Sequence, residues 1–112
     1  TSNNIGILLA EMGKRDEALS SYQTALKHRK NLLDSDPSNI IFQSYVAGTS
    51  NNIGILLAEM GKRDEALEYY KNALKTFEDV KDEESASIVK GNIAMLQAPA
   101  KAKKWWQFWK KR

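Results

Sequence analysis

Cysteine is absent from the 112 residues, which excludes disulfide scaffolds, thiolate zinc sites and thiol nucleophiles. There is one histidine, His28, set among Lys27, Arg29 and Lys30 without a second histidine or a placed carboxylate. A solvated side chain is expected there rather than a general base or a metal ligand. Only two prolines and six glycines occur, and the glycines stand alone, so collagen-like sequence and phosphate-cradling loops are both excluded. No apolar run approaches the roughly 20 residues that a membrane-spanning helix needs. The acids Asp79, Asp82, Glu83 and Glu84 lack the glycine and ligand order of a calcium loop and read as the polar start of a helix. The chain opens at Thr1 without a charged start followed by an apolar stretch, so no secretory signal is expected, and the location is expected to be cytoplasmic or at the membrane periphery. No enzyme activity and no cofactor are expected. What remains is 12.7 kDa of chain, 42% hydrophobic and 28% charged, enough for one domain with a modest core.

Charge is unevenly placed. Residues 1–97 hold fourteen Asp/Glu against eleven Lys/Arg, whereas residues 98–112 hold six Lys/Arg and no acid. The net +3 is therefore an acidic body joined to a cationic tail.

The strongest signal is a repeat. Thr1 to Leu19 reads TSNNIGILLAEMGKRDEAL, and Thr49 to Leu67 repeats all 19 residues, a period of 48. Beyond the identical block Tyr22, Ala25, Leu26 and Lys27 return as Tyr70, Ala73, Leu74 and Lys75. A fixed period of this size indicates stacked units, each covering its apolar face with the next. In the second copy Ile53, Leu56, Leu57 and Met60 fall at i, i+3, i+4 and i+7, and Ala66, Leu67, Tyr70, Ala73, Leu74 and Phe77 continue the helical pattern beyond Gly61. Gly13 and Gly61 are suited to a positive φ that ends the first helix, and Asp16, Glu17, Asp64 and Glu65 suit the positive end of the second. Each unit thus reads as an antiparallel helical hairpin. The break Asp34 to Ser38 predicts a helix with Pro37 near its first turn, running to Met60. Ser85 to Gln97, with Val89, Ile93 and Leu96 on one stripe, reads as a lone capping helix.

Gly6, Leu9, Gly13, Ala18, Tyr22 and Ala25, repeated as Gly54, Leu57, Gly61, Ala66, Tyr70 and Ala73, resemble the tetratricopeptide-repeat pattern in type and spacing. The long repeat with paired asparagines is similar to the extended repeats of kinesin light chain and of archaeal members. Ser2 and Ser50, where the pattern usually has an aromatic, and Arg15 and Arg63, at a place often aromatic, depart from it. The physical sense of the pattern is close packing, with small residues where helix backbones approach and Leu and Tyr filling the space around them. The resemblance implies an all-α helical-hairpin solenoid of about two and a half repeats and five helices. Repeat 1 would span residues 1–36, repeat 2 residues 37–82 and the capping helix residues 83–97, with a basic, tryptophan-rich tail over 98–112.

The same resemblance implies a protein-interaction module whose concave face, lined by the first helix of each pair, receives an extended peptide or a partner's helix. The matching positions are Asn3, Asn4, Ile7, Ala10 and Glu11, then Asn51, Asn52, Ile55, Ala58 and Glu59, with Asn92 as a third rung after Asn4 and Asn52. A side-chain amide suits that task because it donates to and accepts from a peptide backbone without reading its sequence. The alternative is that these asparagines bond within or between helices or meet water. Glu11 and Glu59 would favour a ligand with some positive charge, or are simply solvated.

The tail KAKKWWQFWKKR holds all three tryptophans. If helical, Trp105, Phe108 and Trp109 share a face that Trp106 and the lysines flank. Three readings stay open: packing on the same or another copy, which would make a homo-oligomer; attachment to a membrane surface; and stacking on single-stranded nucleic acid, the least favoured partner.

Overall fold

The computed structural model describes Ile5 and residues 13–98, and everything between Arg15 and Gln97 is helix or short turn. Four helices follow in order: α1 over Arg15–Ser35, α2 over Ile40–Glu59, α3 over Arg63–Asp79 and α4 over Glu83–Gln97. Each packs on the next, and α2 also touches α4. The helix expected over Thr1 to Met12 lies outside the described residues apart from Ile5, which is helical. The tail residues Trp105, Trp106, Phe108 and Trp109 also lie outside them.

The core follows the repeat register. Ala18 and Ala66 are fully buried, as are Tyr22 and Tyr70 to within a few per cent, and Ile53, Leu56, Leu57, Phe77, Val89 and Leu96 complete one continuous cluster. Small residues set the helix spacing. A Cβ on Gly54 would sit 2.6 Å from Cε1 and 2.7 Å from Cδ1 of Tyr70, so only glycine lets the α3 ring lie flat against the α2 backbone.

The turns have local causes. Gly61 takes φ +79°, while the Lys62 N–H donates to the Leu57 carbonyl (2.9 Å) and the Gly61 N–H to that of Ala58 (3.1 Å). That left-handed pair of bonds closes α2 and turns the chain into α3. At the end of α3 the same two bonds recur, from Asp82 to Phe77 (2.9 Å) and from Lys81 to Glu78 (3.1 Å), but the left-handed residue is Lys81, at φ 62°. Asp82 then caps α4 by accepting from the Ser85 N–H at 3.1 Å. Hydrogen bonding from Ser85, its side chain first and then its main chain, holds the Asp82 carboxyl below its ordinary value.

The start of α2 has Pro37 near its first turn, and a capping side chain fixes where the helix begins. Asn39 is the N-cap, accepting from the Phe42 N–H at 3.1 Å, and Pro37 sits in the preceding turn, where its carbonyl accepts from Gln43 Nε2 at 2.8 Å. Asn39 also donates to Asp36 Oδ2 at 3.1 Å. An asparagine cap satisfies an orphan amide that proline at the first helical position only avoids, and that preference decides the boundary.

Candidate functional site

A groove of about 400 Å³ runs between α2 and α4. From α2 it receives Ser44, Tyr45, Gly48, Thr49, Asn51 and Asn52, and from α4 Ser85, Ile88 and Val89. Phe77 of α3, itself buried, forms part of its floor, and Arg29 of α1 stands at one edge. Tyr45 is 49% exposed and Ile88 56%, so the groove offers apolar surface that the fold leaves uncovered. Gly48 keeps it open, because a Cβ added there would meet nothing within 4 Å.

Asn51 and Asn52 line this groove, and Asn92 of α4, outside its lining, pairs with Asn51. The Asn92 Nδ2 donates to Asn51 Oδ1 at 3.0 Å, tying α4 to α2. Asn52 lines the groove beside them, partly exposed. Ile55 and Glu59 follow on the same stripe of α2, one and two turns beyond Asn52, and both are exposed outside the groove's lining. The Glu59 carboxylate accepts from Arg15 Nε at 3.3 Å. It also lies near Tyr70: burial first, and then the negative charge of Glu59, pushes that phenol up to about 12. Asn3, Asn4, Ile7 and Glu11 fall outside the described residues.

Several lining residues escaped the sequence reading. Continuing the α2 stripe back from Asn52 by four and then three residues gives Gly48 and Tyr45, so helical spacing alone would have reached them. Comparing the copies could not, since the equivalent of that stretch would precede Thr1. Arg29 needed the opposite comparison: its counterpart 48 residues on is Phe77, a buried aromatic.

His28 is exposed, and among the described residues no group of three or more His, Asp or Glu is placed to hold a metal ion. No helix among the described residues is long and apolar enough to cross a membrane.

Stacked helical hairpins with an open groove along their first helices define a repeat protein. The family model for the tetratricopeptide repeat matches residues 1–38 and 46–80, more than half of the chain, and the chain belongs to that family. Repeats of this family generally mediate protein–protein interaction and are generally non-catalytic. No curated protein matches the chain.

Proposed function

We propose that this chain is a non-catalytic interaction module that takes an extended peptide or a partner's helix into the groove between α2 and α4. The observation that carries this reading is the groove itself: exposed Tyr45 and Ile88 on its walls, the amides of Asn51 and Asn52 along it, and open space over Gly48. Apolar walls supply affinity, and amides can meet a peptide backbone at low sequence cost.

Peptides selected from a random dodecamer display library provide the test. Asn52→Ala should weaken a selected peptide about fivefold, the equivalent of one lost hydrogen bond. Gly48→Leu should fill the groove and abolish binding while leaving the helix as stable or more so, since leucine is the better helix former by up to about 1 kcal/mol. If both variants bind the peptide like the unsubstituted chain, the groove is not where it docks.

A second reading, self-association, draws on Ile40 and Ile41, which are 59% and 61% exposed at the start of α2. Light scattering over a concentration series decides it, and a monomer throughout would dismiss it.

A further inference from the structure

We infer that the groove is selective for an acidic peptide, and that Arg29 reads a carboxylate side chain lying beside an apolar residue that packs between Tyr45 and Ile88. This rests on the groove being the binding site and adds the chemistry of what it binds.

The groove has two corners at equivalent positions of the repeat. At one, α3 meets α4 through Phe77 and Ser85; at the other, α1 meets α2 through Arg29 and Tyr45, the same positions displaced by the 48-residue repeat and by the 40-residue offset that aligns α4 with α2. The first corner is closed by a buried phenylalanine. The second carries a guanidinium in that place. Its Cζ lies 5.0 Å from the centre of the Tyr45 ring, so the cation is stacked and held in orientation by the aromatic face. Arg29 is partly buried and makes no ion pair among the described residues. A planar group with five donors, fixed at a groove edge and lacking an anion, is built to receive one.

The surroundings have the matching sign. Among the described residues Arg29 is the only charged one that lines the groove, and none of those lining it carries a carboxylate. The acids Glu83 and Glu84 of the first turn of α4 are exposed and outside the lining. Glu59, the acid that would have favoured a cationic ligand, is already paired with Arg15. Basic segments, including residues 98–112 with six Lys/Arg and no acid, have the wrong sign for this edge.

The test uses three pools of degenerate dodecapeptides, acetylated and amidated so that no terminal carboxylate is present. They are identical except for a fixed central Glu-x-Leu, Gln-x-Leu or Lys-x-Leu. Affinities come from fluorescence anisotropy, and NMR shifts of the Asn52 amide and Ile88 methyl groups report the site. The glutamate pool should bind about five- to tenfold tighter than the glutamine pool, with the lysine pool weakest, and the preference should shrink as salt is raised. Arg29→Gln should remove the difference between the glutamate and glutamine pools, and Arg29→Lys should keep only part of the preference, because the ammonium lacks the planar fork. Equal binding of the glutamate and glutamine pools at the Ile88 and Asn52 signals, or a preference that survives Arg29→Gln, overturns the selectivity and leaves the groove in place. Failure of every pool to move those signals overturns the groove as well.

Discussion

Helices α2 and α4 carry the same register, Asn-Ile-x-x-Leu at 52–56 and again at 92–96, and differ in what stands behind them. α2 lies between α1 and α3, whereas α4 packs chiefly on α3 and, by a few residues, on α2. Ile53 and Gly54 are accordingly buried, while Ile93 is only partly so and Ala94 is exposed. A pattern thus states which residues can pack; the number of neighbours decides which do. In a stacked array, units of the same sequence that are covered to different extents have different energetics.

The widest separation between them should come from the paired isoleucines. Ile53→Ala should cost about 2–5 kcal/mol, the range for truncating a fully buried aliphatic side chain, and Ile93→Ala less than half of whatever Ile53→Ala costs. Urea unfolding of both variants checks this. Equal losses would mean that α4 is as enclosed as α2, against the exposure of Ala94.

Next is the glycine. Gly54→Ala should destabilise by about 1–3 kcal/mol although alanine is the better helix former, because its Cβ meets the Tyr70 ring at 2.6 Å. Ala94→Gly, at the aligned position on the open face, should cost no more than about 1 kcal/mol, by helix propensity alone. A stabilising Gly54→Ala would show that the ring moves aside freely and that close approach does not set the spacing of α2 and α3.

The same ring gives a pH signature that the end helix has no counterpart for. Folded, Tyr70 keeps its proton to about 12; unfolded, it would lose it near the ordinary 10.0. The folded chain therefore binds more protons in that window, so stability is intact below pH 10 and falls as pH rises toward 12. Comparing pH 9 with pH 11, the loss from this group should be about 1 kcal/mol, at roughly 1.4 kcal/mol per pKa unit. Tyr70→Phe should lack that part of the fall in chemical unfolding midpoints, and parallel curves for the two proteins would refute it.

How much of this was legible in the sequence depended on whether a residue's role is local or shared. Ala18, Ala66, Tyr22 and Tyr70 were legible because helical spacing and repetition both point at them. Gly61 was legible because few residues but glycine accept its backbone. The start of α2 was legible to within a few residues, because Pro37 and Asn39 both suit a helix entry and only the bond from the Phe42 amide distinguishes them. At the site, the register placed Asn51, Asn52 and Asn92 on one side of the molecule, yet no spacing rule could say that Asn51 and Asn92 would pair across 41 residues. Arg29 was passed over because a basic residue on a helix is usually solvated, and its stack on Tyr45 exists only once α1 and α2 are packed.

The finest distinction lies between the two helix ends closed by the same bonds. At the end of α2 the left-handed position is Gly61, and at the end of α3 it is Lys81. A side chain there brings Cβ toward the following carbonyl, a strain of about 1 kcal/mol that glycine does not feel. Against that, glycine loses more backbone freedom on folding, which returns part of the gain. Lys81→Gly should therefore stabilise the chain by roughly 0.5 kcal/mol, while Gly61→Ala should destabilise it by about 1 kcal/mol. The position lies on the turn between α3 and α4, away from the groove-lining residues, so peptide affinity should not change. A loss of stability in Lys81→Gly would mean that the lysine side chain holds the cap helix in some way that outweighs its strained backbone, and the α3 end would then no longer be an imperfect copy of the α2 end.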